Sequence, residues 1–407
     1  MSTTTEPVEE QKLPDPDGDD ERSTRRMLIL LAWILGIAAL LLLGLLFWLL
    51  RPEGTPTPPG QAAGYPIDVV TTIYGRGTQA GDLLSQPLGV AFDADGNVWI
   101  SNSGRARVEL YTNGGDYIRT IGDQPGDGEL LSAYGLTVDD ERDLVYVADL
   151  NAGLVKIYTT DGAYVGHLPS DQQERAVFGP DGFTPLDVKV SPEGRIVVSS
   201  SDGLYFFDQD GNVVARWGAT KKGENQRGGA DGAFNFPDAF TIDPQDGSFY
   251  VADTLNRRVT AIDADGHVRW ISGTPDKDGE STSFWQLPRG IQIGTDGSLY
   301  MVDTFRFSPD GMGTGHIVVL SKDGELVSEF GRAGTDDGAF NFPEHLASGP
   351  DGLWAIADRE NNRVVVFRLN TPYPEIDDLL ARRFPETFSQ PDDVSVTPAP
   401  TAEATGG

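Results

Sequence analysis

The chain has 407 residues and not one cysteine, which removes disulfides, thiolate zinc sites and a cysteine nucleophile from consideration. Histidine is nearly absent too, with His167, His267, His316 and His345 as the full complement. Positive charge is scarce: 31 Lys and Arg stand against 62 Asp and Glu, a formal net charge of −31. Phosphate backbones are bound by clustered basic residues, so nucleic acid is not an expected partner. Acidity on this scale reads first as solubility.

What the chain does have is a repeat. Six residues that each precede a short apolar strand, Pro87, Ala133, Pro185, Pro237, Pro288 and Pro343, follow one another at spacings of 46, 52, 52, 51 and 55. Each such strand ends in a turn built from Asp, Gly, Ser or Pro, as in Asp93-Ala-Asp-Gly96 and Asp243-Pro-Gln-Asp-Gly247. Six residues past each turn come Asn102, Asp149, Ser200, Asp253, Asp303 and Asp358. A third strand, a second Gly-containing turn and a fourth strand complete the unit. Short strands bounded by such turns and repeated at this period describe four-stranded propeller blades. The sixth unit lacks its fourth strand, because Asn370-Thr-Pro-Tyr-Pro cannot extend a ladder. Val69-Val-Thr-Thr-Ile-Tyr74, ahead of the first unit, is the missing strand and is expected to close the ring. The fold class is therefore all-β, a six-bladed β-propeller over residues 67–370 with its N-terminal strand closing the last blade, preceded by one transmembrane helix.

The motifs resemble the NHL-repeat family. The resemblance rests on Gly232-Ala-Phe-Asn-Phe-Pro237 and Gly338-Ala-Phe-Asn-Phe-Pro343, on strands ending Tyr-Val-Ala-Asp at Asp149 and Asp253, and on Asn256-Arg-Arg-Val259 with Asn361-Asn-Arg-Val364. It implies a scaffold used as a ligand platform, since one fold hosts many functions. Related six-bladed lactonases and phosphotriesterases hold a divalent cation at the channel mouth, and amidating lyases with NHL-like repeats hold zinc on several histidines. Here His167 falls on an outer strand and His267 in a hairpin turn, so only His316 and His345 can meet, and a zinc site of three histidines is excluded.

Outside the propeller, residues 1–26 are polar, mostly acidic and read as a disordered cytoplasmic head. Met27 to Leu50 is an uncharged run of 24 residues. At about 1.5 Å per residue it spans a hydrocarbon core of roughly 30 Å. Arg22, Arg25 and Arg26 precede it and only Arg51 follows, which predicts a cytoplasmic N-terminus and an extracytoplasmic propeller at the cell membrane. Residues 51–66 form a Pro/Gly linker. Residues 371–407 read as a disordered tail, with a Pro/Thr/Ala-rich end that glycosylation on threonine would suit.

Because strands alternate in direction within a blade, inter-blade loops and the loops between second and third strands share one face. The Asp-Gly hairpin turns share the other. The Asp-x-Asp-Gly turns at Asp93, Asp208 and Asp263 lack the loop length and closing glutamate of an EF-hand and read as hairpin turns. On the inter-blade-loop face, Asp187, Asp238, Arg289, Glu344 and His345 depart from the Gly and apolar residues that fill the same slots in other blades. They are the candidate ligand-binding residues. Asp187, Asp238 and Glu344 are the candidate ligands for Ca²⁺ or another divalent cation, with Arg289 as an anion contact, set against plain solvation of a polar channel mouth. Two long loops on this face add Lys221, Lys222, Arg227, Arg306 and His316, a set suited to an acidic or glycan partner.

The expectation is a membrane-anchored binding or sensing module for a protein, peptide or glycan, signalling through a partner protein. A divalent-cation-dependent hydrolase or lactonase and a structural subunit of an envelope complex are the alternatives.

Overall fold

In the computed structural model the described residues are 67–173, 177–178, 182–218, 232–273, 285–308 and 311–369, together with Leu28. The chain divides into two units, Met1–Ala63 and Gly64–Gly407. Of the first, only Leu28, helical and exposed, is described; the segments 1–26, 27–50, 51–66 and 371–407, for which the sequence predicts a head, a span, a linker and a tail, otherwise lie outside the described residues. No helix among the described residues is long and apolar enough to cross a membrane.

The second unit contains six four-stranded antiparallel sheets. Blade 1 comprises Pro87–Phe92, Val98–Asn102, Arg107–Tyr111 and Tyr117–Ile121. Blade 2 comprises Ala133–Asp139, Leu144–Asp149, Leu154–Thr159 and Tyr164–Leu168. Blade 3 comprises Pro185–Val190, Ile196–Ser200, Gly203–Phe207 and Val213–Trp217. Blade 4 comprises Pro237–Ile242, Phe249–Asp253, Arg258–Ile262 and Val268–Ser272. Blade 5 comprises Pro288–Ile293, Leu299–Ser308, Gly311–Leu320 and Leu326–Phe330. Blade 6 takes Pro343–Ser348, Leu353–Asp358 and Arg363–Leu369 from one end of the propeller and Ile67–Ile73 from the other. That closing strand pairs antiparallel with Arg363–Leu369, with a bulge between Val69 and Thr71. The expected closure is what the sheet does, and it leaves no blade without its outer strand.

The core lies between blades. Each interface holds one cluster of buried apolar side chains: Tyr300, Ile317 and Phe330 of blade 5 pack on Trp354 and Phe367 of blade 6, and Val98 and Tyr111 of blade 1 pack on Val364 and Val366. Strands buried on both faces carry unbroken apolar runs, as in Leu353–Asp358, every residue of which is buried. Three residues before each inner strand a large side chain plugs the interface. It is Leu84, Leu130, Phe234, Trp285 or Phe340, all buried. Blade 3 has Gly182 at that position and uses Phe178 and Phe183 instead.

The recurrent polar residue at the end of each second strand ties down the loop that leads into its blade. Asn102 accepts from Ser85 N, Asp149 from Leu131 N and Ser132 N, and Ser200 Oγ from Thr184 N. Asp253 accepts from Asn235 N, Asp303 from Leu287 N and Asp358 from Asn341 N. A loop crossing from an outer to an inner strand buries N–H groups that no ladder can satisfy, and these side chains supply the acceptors. In blades 4 and 6 the Asn-x-Arg loop adds its own donors: Arg258 Nε lies 2.8 Å from Asp253 Oδ2 and Arg363 Nε 2.7 Å from Asp358 Oδ2. The geometry gives these residues a structural role.

The expansion at Thr304 to Gly315 is a correction. It is no irregular loop: the second and third strands of blade 5 continue as a hairpin paired out to Ser308 and Gly311. The alternation Phe305-Arg306-Phe307 suits a strand, and Phe305 stacks on Phe342 with ring centroids 5.9 Å apart.

Candidate binding site at the channel axis

The innermost strands approach so closely that three of them carry glycine as their third residue, Gly89, Gly135 and Gly290. A Cβ on Gly135 would sit 2.5 Å from Asp187 Oδ1 and 2.6 Å from Leu186 O, and one on Gly290 would sit 2.7 Å from Glu344 O. The other three blades carry Asp187, Ala239 and His345 in that slot. One residue earlier the ring reads Leu88, Tyr134, Leu186, Asp238, Arg289 and Glu344 from blade 1 to blade 6, so that the charged side chains fall in blades 4 to 6 and the others in blades 1 to 3.

These side chains meet across the axis. The Tyr134 hydroxyl of blade 2 donates to Asp238 Oδ1 of blade 4 at 2.9 Å and accepts from Arg289 Nη1 of blade 5 at 2.8 Å. Arg289 Nη1 also stands 3.4 Å from Asp238 Oδ1 and 3.0 Å from Glu344 Oε2 of blade 6. His345 of blade 6 sets its ring edge-on to Tyr134, with centroids 6.1 Å apart, and brings Nε2 to 3.8 Å from Asp238 Oδ2. Blades 2, 4 and 6 are not neighbours, so contacts among them are made only at the centre of the ring. The set is buried: Asp187 and Asp238 are 0% exposed, Glu344 1%, His345 4% and Tyr134 7%.

The electrostatics show what surrounds the candidate carboxylates. Asp187 is paired with Lys189 at 2.8 Å, Asp238 with Arg289, and Glu344 with both Arg289 and Arg359, the last at 2.9 Å. Three carboxylates thus face three cations. Lys189 and Arg359, which the sequence reading left out of this site, remove the repulsion that would have called for a metal ion. Asp187, Asp238 and Glu344 do not present their oxygens to one point. Among the described residues the set of acidic and histidine ligand atoms that does come within 4.8 Å is Asp263, Asp265 and His267, in a hairpin turn on the other face. Arg289 is likewise no free anion contact, since Tyr134, Asp238 and Glu344 engage it.

Burial shifts the titrations in opposite directions. It lowers the His345 pKa below the usual imidazole range, against the pull of Asp187 and Asp238, so the ring is neutral at pH 7. It raises Glu344, with Arg289 acting against the shift, and raises Tyr134 well above the ordinary phenol range, with the Asp238 charge adding to it. Burial opposes the Arg289 charge, yet Asp238, Tyr134 and Glu344 together hold its pKa above the ordinary arginine value. Four buried atoms keep unused hydrogen-bonding capacity: Asp238 Oδ2, Glu344 Oε2, His345 Nε2 and Arg289 Nε.

His316 does not join the site. It lies on the third strand of blade 5, opposite Asp303, with Nδ1 3.2 Å from Glu329 Oε1. Arg306 lies on the blade 5 hairpin opposite Gly313. Lys221, Lys222 and Arg227 lie outside the described residues. Beside Lys189 and Arg359, sequence reasoning also missed Tyr134; it occupies the ring position shared with Asp238 and Arg289, and that shared register was the available signal.

No family model matches the chain. The human protein NHL repeat-containing protein 3 is 25% identical over 192 residues, which are 43% of this chain and 52% of the relative. The match thus spans about half the relative's length. Among solved structures, a Bacteroides thetaiotaomicron protein of unknown function superposes with a TM-score of 0.52 at 15% identity, covering 75% of each chain. Virginiamycin B lyase from Staphylococcus aureus gives a TM-score of 0.49 at 14% identity over 74% of this chain and 99% of the lyase, too loose a likeness to carry more. Repeat grammar, six closed blades and the sequence relative together define an NHL-type β-propeller.

Proposed function

We propose that this NHL-type propeller is an extracytoplasmic binding or sensing module, anchored by a single membrane span at residues 27–50 with its N-terminus in the cytoplasm. The apolar run and the arginines on its N-terminal side support the anchor. The observation that carries the binding role is the pairing at the axis: Asp187, Asp238 and Glu344 each already have a cation from the same chain, which favours a built scaffold over a catalytic centre. Around that closed centre the same face exposes Leu83 by 38% and Leu131 and Leu255 by 54% each. Exposed leucines beside a polar centre suit a protein or peptide surface, which a signalling partner would supply.

The test is site-specific photo-crosslinking in intact cells with the full chain. Crosslinkers at Leu131 and Leu255 are expected to trap one common partner that a crosslinker at Val165, exposed on the outer strand of blade 2, does not. Turnover of ester or lactone substrates that disappears in Asp238→Asn would instead establish the hydrolase. Topology has its own check: protease added to spheroplasts should digest the propeller and spare a tag at Met1.

A further inference from the structure

The opposite end of the channel holds a second site. Here a cavity of 510 Å³ opens between the hairpin turns of blades 3 to 6. Its walls include Val190, Ile242 and Ile293, the last residues of three consecutive inner strands, each half-buried. Gln245, Gln292 and Lys322 supply the polar groups. A concave space of a few hundred cubic ångströms whose wall combines apolar side chains with a few fixed polar groups has the build of a small-molecule site.

The polar groups narrow the ligand class. Lys322 reaches from a turn of blade 5 back to blade 4, where its ammonium pairs with Asp243 Oδ2 and stands 3.3 Å from Gln245 Oε1. Asp243 is fully buried, and its other oxygen accepts from Gln245 N at 2.9 Å. An ammonium has three donors, so one N–H remains after these two contacts. The Lys322–Asp243 pair is neutral as a unit, and the turns on this face carry Asp246, Asp296 and Asp323, which disfavours an anion. A cation would meet Lys322 at the wall. We infer that this cavity binds a small uncharged ligand with an apolar body and a carbonyl oxygen, a ketone, ester or amide, with the carbonyl accepting from Lys322 and the body against Val190, Ile242 and Ile293. The site is independent of the axial cluster and of the membrane anchor.

The absence of native cysteine allows a local readout. In the full chain, Val190→Cys places the sole thiol on the cavity wall and Val165→Cys places one on an outer strand. Alkylation by N-ethylmaleimide is followed by mass spectrometry with and without coumarin or progesterone, two uncharged carbonyl compounds of different size. At least one of them is expected to slow alkylation at Val190→Cys about tenfold or more while leaving Val165→Cys unchanged. Adding Lys322→Met should remove most of that protection. If this variant fails to fold with Asp243 unpaired, Asp243→Asn with Lys322→Met removes both partners and serves instead. Protection at neither thiol, or equal protection at both, overturns the site. Protection that survives loss of the Lys322 donor overturns the carbonyl assignment.

Discussion

The same pair of functional groups, a buried carboxylate and an arginine, occurs in two settings in this molecule. Asp253 with Arg258 and Asp358 with Arg363 sit inside single blades, their partners three to 18 residues away, and each pair recurs because the repeat recurs. Asp238 with Arg289 sits on the axis, 51 residues apart in sequence, joined by Tyr134 at a separation of 104 residues from Asp238. In the blades the carboxylate also caps backbone N–H groups, so it belongs to the folding of its own loop. On the axis it touches only side chains, so it is a feature of the closed ring. The difference teaches that identical chemistry is structural where the repeat encodes it and variable where only the assembled ring brings it together.

Opening the ring is the harshest way to break the comparison. Deleting 66–74 removes the outer strand of blade 6 and with it the buried Ile67 and Ile73. Burial of such side chains contributes about 1.5–3 kcal/mol each, before the lost ladder is considered. The melting temperature should fall far more than on deleting 371–407, a deletion that removes none of the described residues. Equal melting of the two truncations would contradict the closure.

Next come the two aspartates. Asp253→Ala deprives Arg258 of its carboxylate and Asn235 N of its acceptor, and should cost about 3–5 kcal/mol in denaturant unfolding. Asp238→Ala should cost less, about 1–3 kcal/mol, because Arg289 keeps Glu344. The reverse order would mean that the axis, and not the blade, organises stability.

Gly135→Ala sharpens the account of the axis. Its new methyl would press on the Leu186 backbone, and overpacking of this kind costs about 1–3 kcal/mol. The same substitution at Gly166, which has open space around it, should be well tolerated.

The smallest effect is in pH. The folded His345 pKa is depressed, so its contribution is complete above the ordinary histidine value near 6.5 and is lost as pH falls below it, because the unfolded chain then takes up the proton first. Glu344 has a raised folded pKa and works with the opposite sign, its stabilisation lost as pH rises. Comparing wild type with His345→Asn isolates the histidine: unfolding free energy should fall less on acidification in the variant. Parallel pH profiles would show that His345 does not stay neutral in the folded state.

The blade count, the strand order and the closure through the N-terminal strand were legible in the chain, because the repeat spacing counts the blades and the one unit without a fourth strand matches the spare strand ahead of the first. The slots that form the axis were legible as well, because a strand's register assigns its side chains to faces. What those side chains do there was not. Lys189 follows Asp187 by two residues on the same face of one strand, a local sign of their pairing, whereas Arg359 sits in a polar loop 15 residues from Glu344 and nothing local marks it as that counter-ion. Tyr134 reads as one more apolar residue until blades 2 and 4 face each other. The hairpin-turn cavity exists only because four inner strands end around one axis. Local hydrogen bonding and periodic burial are written residue by residue, so the sequence determined the propeller and its blades. Hydrogen bonding between non-neighbouring blades, as from Tyr134 to Asp238, depends on distances that only ring closure sets, so the tertiary structure decided that the axial side chains form a buried, mutually paired cluster.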